Sequence, residues 1–389
     1  MTPAARVETA IGLIDRILGG TPAEQALTQW ARASRYAGSG DRAAVRDHVY
    51  DALRSLRSFA AMGGAGGAPG GRQVMLGALR ASGIDPDAIF TGAAHAPAAL
   101  SGEERAFVPP VDLPPDMPDW LLPDLCASLG AALPDVLSRQ RQRAPVFLRV
   151  NLARTTPAAA IAALAEAGVV AEPEPLADTA LRISLGAGKL RMAAPYLDGR
   201  VELQDAASQA AVAMLPLARG LRVLDYCAGG GGKVLAMAGR QAGMELFAHD
   251  AAPERMRDLP DRARRAGARV RQLSGAELAR AGSFDLVLAD VPCSGSGTWR
   301  RTPDAKWRLT REGLDSLCVL QSQILTKAAP LVRPGGVLAY MTCSLLRAEN
   351  GDQVDAFLGR GGWSEVTRRQ FLPADGGDGF FCAVLTRDS

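Results

Sequence analysis

From about residue 201 onward, short apolar runs alternate with helix-length amphipathic stretches, and this rhythm constrains the chain more than any other feature. "LRVLDYC", "MELFAHD", "RVRQLS", "FDLVLADV", "GGVLAYMTC" and "GFFCAVLT" read as strands. Helices fill the gaps, among them "PERMRDLPDRARRAG", interrupted by Pro260, and a stretch from about Glu312 to Leu331. Buried strands joined by helices predict an α/β fold, a mostly parallel sheet with helices on both faces. In such a sheet a ligand sits at the carboxyl ends of the strands, where the strand order reverses.

Upstream the pattern differs. Val7, Ile11, Ile14 and Leu18 recur at helical spacing and stop at Gly19 and Gly20. Thr21 then offers an N-cap, Pro22 a first helical position and Glu24 the far side of a capping box. A third helix, "DRAAVRDHVYDALRSLRSF", buries Val45, Val49, Leu53 and Leu56, leaving Arg42, Arg46, Arg54 and Arg57 off that stripe as a solvated basic face or as phosphate contacts. A glycine-rich connection, Gly63 to Gly71, leads to a further helical segment, and Pro-rich punctuation closes the helical region near residue 118. Residues 119–200, with strand-like "APVFLRVNLA" and "ALRISL" around an alanine-rich helix, read as a small connecting α/β module. The expected domains are therefore 1–118, 119–200 and 201–389.

A net charge of +3 permits a nucleic-acid partner without demanding one. The six cysteines form no C-x-x-C pair and no metal-ligand spacing, which argues against a zinc site or disulfide framework and for reduced thiols in the cytoplasm. The first twenty residues carry acidic groups within their apolar stretch and resemble neither a signal peptide nor a span, and no other stretch reads as long and apolar enough to cross a bilayer. A monomer without metal or membrane is expected.

"VLDYCAGGGGK" is strand, glycine loop, helix, a loop whose backbone can approach a ligand closely. A Walker A loop would need glycine where Cys227 stands and Ser or Thr where Val234 stands; a dinucleotide fingerprint would need a small residue at Val234. S-adenosylmethionine remains, its methionine end over Cys227, Ala228, Gly229, Gly230, Gly231, Gly232 and Lys233, its ribose hydroxyls held by Asp250 at the end of "FAHD".

Cys293 and Cys343 follow two predicted strand ends. His48, His95 and His249 are the chain's histidines and none is a convincing base for a cysteine hydrolase. A thiolate can still attack a strongly electrophilic carbon without a triad. Carbon 5 of cytosine becomes nucleophilic only after a thiolate adds to carbon 6, and a second thiol can assist proton removal and release of the adduct. The residues alone leave open which cysteine has which task.

"DVPCSGSGTWRRTPDAKW", "YMTCSLLRAENGDQV", "LDYCAGGGGK", "VELQDAASQ" and the closing "DGFFCAVL" together resemble the RsmB/Nop/Sun family of RNA cytosine-5 methyltransferases, over most of residues 200–389. The helical N-terminal region is similar to the NusB-like RNA-binding domain of the bacterial RsmB branch. The resemblance implies a Rossmann-like class I methyltransferase sheet, S-adenosylmethionine as cofactor and RNA as partner, with small-subunit 16S ribosomal RNA ahead of tRNA; a non-catalytic assembly factor retaining the fold is the competing class. It implies Cys343 as nucleophile, Cys293 in product release, and Asp290 at cofactor or cytosine. Basic residues at Arg300, Arg301 and Lys306 are expected to meet RNA. Two departures stand out: the family's loop usually reads Ala-Pro-Gly-Gly-Lys, whereas here Ala228 is followed by four glycines, Gly229 to Gly232, before Lys233, and Ser274 takes the third-strand place of an aspartate that receives the adenine amino group.

Overall fold

The computed structural model describes residues 1–388 and divides into two compact units. Unit 1 comprises Met1–Pro123, Ala131–Arg143 and Trp299–Leu309; unit 2 comprises Asp124–Gly130, Ala144–Thr298 and Thr310–Ser389.

Unit 1 is helical. α1 (Pro3–Leu18), α2 (Ala23–Ala33), α3 (Ser39–Arg54), α4 (Leu56–Met62) and α5 (Gly71–Ala81) enclose a core that includes Ile14, Leu27, Val49, Leu53 and Leu76. The third predicted helix is thus two, broken at Ser55. Thr21 does not cap α2; the Ala23 N–H donates instead to the Asp304 carboxylate, 281 residues away in sequence (3.2 Å), while Glu24 accepts from the Tyr50 hydroxyl (3.0 Å). The segment Trp299–Leu309 lies in this unit because its polar groups find their partners here: the Trp307 indole donates to the Leu53 carbonyl at 2.8 Å. Arg54 is buried, donating to the Arg300 carbonyl, and Arg57 is held by Asp119 and the Met117 carbonyl, so neither is the free surface cation expected.

Unit 2 holds two sheets. In the smaller, β1 (Val146–Val150), β2 (Val170–Pro173), β3 (Ala180–Leu185) and β4 (Val201–Leu203) run antiparallel in the order β2-β3-β1-β4. Leu148, Val150 and Leu181 pack on Ala160 and Leu164 of the helix Pro157–Glu166, while Phe147 and Ala180 join the large sheet's core.

The larger sheet comprises β5 (Arg222–Asp225), β6 (Glu245–Ala248), β7 (Val270–Gln272), β8 (Phe284–Asp290), β9 (Val332–Thr342), β10 (Trp363–Phe371) and β11 (Phe380–Arg387). Its order is β10-β11-β9-β8-β5-β6-β7, parallel from β7 through β9 and antiparallel for the last two strands. Successive residues point to opposite faces, so Leu286, Leu288, Ala339 and Met341 enter one core while Val287, Ala289, Leu338 and Tyr340 enter the other. Neighbours β6 and β8 flank β5, and the chain order reverses there, which places a crevice over the carboxyl ends of β5 and β8. Pro260 begins the helix Leu259–Ala266 rather than interrupting one.

Contrary to the expectation from sequence, the helical run Asp119–Gln140 is long and apolar enough by length and composition to cross a membrane. It is a chain of short turns, however, with Gly130 at φ +49° and Pro134 starting a fresh helix, and such breaks do not make one straight rod.

Candidate active site

β5 ends at Asp225, and the chain turns through the glycine loop into the helix Gly232–Arg240. Gly231, at φ +83°, makes the turn where a side chain would also collide with Leu259. The Gly229 N–H donates to the Asp250 carboxylate at 2.9 Å, and the Val234 N–H to Asp225 at 3.1 Å. Arg262 donates to the Gly230 carbonyl, so a guanidinium braces the backbone of the proline-free loop. The Gly232 carbonyl accepts from Arg149 (2.8 Å) and Gln204 (3.2 Å).

Asp225 is buried, and burial, reinforced by the charge of Asp290, pushes its carboxyl up to about 7. Its Oδ1 is enclosed, and among the described residues nothing donates a hydrogen bond to it. Asp250, 3% exposed at the end of β6, also accepts from the Ala252 N–H at 2.9 Å and faces Arg255 at 3.4 Å. Glycine amides, an orphaned acceptor and a strand-end carboxylate fit the donors and acceptors of S-adenosylmethionine. Ser274 lies beyond β7, where its hydroxyl and the Glu277 carboxylate form a capping box. That hydroxyl is already bonded locally.

Register brings the thiols together. Asp290 of β8 is level with Met341 of β9, so the chain beyond each strand enters the same space. Cys293 Sγ and Cys343 Sγ are 3.4 Å apart, and the Gly297 N–H donates to the Cys343 carbonyl at 2.9 Å. Lys233 reaches over from the glycine loop to Asp290, Nζ to Oδ2 2.5 Å. The contact with Cys293 holds the Cys343 thiol below the ordinary cysteine value; Lys233 adds to that, against burial and the charges of Asp290 and Glu349. Cys293 is pushed well up by the same hydrogen bond and by burial. Of the two, Cys343 is the thiol set up to ionise. Cys227 is pushed up by burial and by the surrounding carboxylates, which suits a loop residue and not a nucleophile. His249 Nδ1 contacts the Leu273 carbonyl (2.9 Å) and serves neither thiol.

The structure does not place the expected RNA-contacting residues as a surface patch. Lys306 is 1% exposed, donating to the carbonyls of Arg54 (3.0 Å) and Asp116 (2.7 Å), and Arg300 is buried as well. Both are out of reach of a phosphate, because the segment Trp299–Leu309 is packed into unit 1; Arg301 is partly exposed. Sequence reading missed Glu349. It is wholly buried, and its carboxylate takes hydrogen bonds from the residues that follow each cysteine. The only signal was a lone acidic residue in "LLRAENG", six positions after Cys343.

Comparison with known proteins supplies the family. The family model described as 16S rRNA methyltransferase RsmB/F matches residues 212–386, and that of the RsmF/B-like ferredoxin-like domain matches 117–187. Ribosomal RNA small subunit methyltransferase B of Xanthomonas campestris is 33% identical over 75% of this chain and 71% of its own length. The enzyme of the same name from Xylella fastidiosa (strain 9a5c) is 34% identical over 75% and 73%. The crystal structure of PH0851 shares the fold, with a TM-score of 0.75 at 21% identity across 99% of each chain. With the glycine loop and the paired thiols in place, these matches identify the chain as an S-adenosylmethionine-dependent methyltransferase belonging to the RsmB/F family.

Proposed function

We propose that this protein methylates carbon 5 of a cytosine in small-subunit ribosomal RNA through a covalent adduct, with Cys343 as nucleophile and Cys293 in product release. The observation that carries the reading is the thiol pair 3.4 Å apart beside the Lys233–Asp290 ion pair. The names of the curated relatives support RNA of the small subunit as substrate.

The Cys343 thiolate adds to carbon 6, and the electron pair moves to carbon 5. S-adenosylmethionine, when bound, supplies an electrophilic methyl group; Asp250, Asp225 and the Cys227–Lys233 loop would hold it. Once Cys343 is tied up in the carbon–sulfur bond its negative charge is gone, so Cys293 can lose its own proton to solvent and, as thiolate, take the carbon 5 proton; the carbon–sulfur bond then breaks and the electron pair returns to Cys343 as thiolate. Lys233 keeps a positive charge next to the nucleophile, and Asp290 orients that charge and lies near enough to the thiols to meet the base. Of the basic residues beside the cysteine loop, Arg301 alone is retained as a phosphate contact.

Cys343→Ala is expected to abolish both methyl transfer and covalent attachment, whereas Cys293→Ala attacks and then stalls with RNA attached. A denaturing gel with labelled RNA and cofactor separates the variants. Adduct in Cys343→Ala but not in Cys293→Ala reverses the roles; absence of adduct in both folded variants removes the mechanism. Bisulfite sequencing of RNA from a deletion strain identifies the substrate, and loss of a tRNA methylcytosine in place of a ribosomal one would move it.

A further inference from the structure

Glu349 sits at 0% exposure, with a serine from each thiol loop bonded to its carboxylate. Oε1 accepts from the Ser294 N–H (2.8 Å) and the Gln321 amide (3.0 Å); Oε2 accepts from the hydroxyls of Ser294 and Ser344, each at 2.5 Å. Four donors satisfy it, and none is a cation. Ser294 directly follows Cys293 and Ser344 directly follows Cys343. Ser296 completes the clasp: its hydroxyl is 3.0 Å from that of Ser344 and accepts from the Leu345 N–H at 2.7 Å. The backbones that carry the two thiols are therefore tied to one carboxylate.

We propose that Glu349 is the positioning residue of the thiol pair, with two effects on it. Its four hydrogen bonds set the distance between the sulfurs, and its buried charge keeps the pair from losing both protons. A carboxylate with no cationic partner among the described residues, in a region of low dielectric, disfavours a thiolate on either cysteine, and its charge opposes ionisation of both. Lys233 and the Cys293 thiol offset that opposition at Cys343 alone. The pair thus holds one thiolate and one thiol, the state in which one sulfur can attack while the other still carries a proton to exchange. Within the C5-methylation reading, this accounts for the two cysteines dividing the work.

The test is the pH dependence of alkylation by iodoacetamide, measured on the full chain without RNA, with Cys293 and Cys343 resolved by peptide mass spectrometry. Glu349→Gln keeps the size and removes the charge. The expected result is a Cys343 midpoint lowered by about one pH unit and Cys293 alkylated in the range where the unaltered protein leaves it unmodified. Unmoved midpoints in a folded Glu349→Gln protein, whatever its melting temperature, would reduce Glu349 to a structural clasp and overturn the proposal. If this variant does not fold, Ser294→Ala is read instead. It leaves the charge but loosens the Cys293 loop, so the Cys343 midpoint should rise as the donated hydrogen bond weakens; no change overturns the proposal equally. Because no RNA is present, failure here is distinct from failure of the adduct gel, which tests the reaction.

Discussion

Each unit takes one lysine out of water, and the two are treated in opposite ways. Lys233, in unit 2, meets a carboxylate: burial alone would lower its pKa, but the charge and hydrogen bond of Asp290 more than offset this and raise it. Lys306, in unit 1, meets two backbone carbonyls and the face of Trp307, 4.8 Å away, and burial pushes its amine down to about 7. The nearby Asp116 carboxylate is occupied with the Ser58 hydroxyl, the N–H groups of Arg57 and Ser58, and Arg141. A buried amine remains a dependable cation only where an anion is aimed at it; carbonyl dipoles hold it in place but leave its proton negotiable. In the mechanism proposed above, the first arrangement keeps a cation beside the nucleophile. The second serves as a strut within unit 1.

Lys233→Met should break the comparison most severely. It removes the cation next to Cys343 and strands Asp290, so single-turnover methyl transfer is expected to fall by roughly two orders of magnitude, with the Cys343 alkylation midpoint moving up. A variant with normal turnover would show that the Lys233–Asp290 pair has no catalytic weight.

Lys306→Met probes the other side through stability. A lysine whose folded pKa lies below its unfolded value destabilises while charged: the penalty is complete below pH about 7 and fades as pH rises toward the ordinary lysine value. Melting curves should therefore show the unaltered protein gaining on Lys306→Met between pH 7 and 10, with RNA affinity unchanged. A constant gap would mean the amine is not titrating in the fold, and lost RNA affinity would return Lys306 to the RNA surface.

The smallest effect belongs to Ser274, where the expected loss is that of a helix cap. Ser274→Ala should cost about 1 kcal/mol of stability, read by denaturant unfolding, and leave cofactor affinity nearly unchanged. Ser274→Asp keeps a capping oxygen and adds a carboxylate; calorimetry should then report tighter cofactor binding. If alanine itself weakens the cofactor markedly, the serine hydroxyl is a ligand contact as well as a cap.

The glycine loop, Asp250 and both cysteines could be read from the chain because each follows a strand, and strands announce themselves by local apolar runs. β10 could not: its residues are mostly exposed, an edge strand without an apolar run to betray it. Asp304 as the cap of α2 was equally invisible, since nothing near Ala23 points to a carboxylate so distant in sequence. Arg54 and Lys306 misled for a related reason. Charge and helical position predict a solvated side chain unless the fold brings a second segment over it, and here it does.

Local pattern was thus enough for what depends on neighbours along the chain: the alternation that makes the parallel sheet, the loop between β5 and its helix, and the two strand ends at which thiols stand. Register between β8 and β9 decided that the thiols meet at 3.4 Å. A carboxylate aimed at one buried amine and not at the other decided which lysine stays a cation, and a carboxylate with no local signature, Glu349, decided what ties the two thiol loops together. Hydrogen bonds and charges act through space, at distances set by packing, and sequence separation carries no information about those distances until the chain has folded.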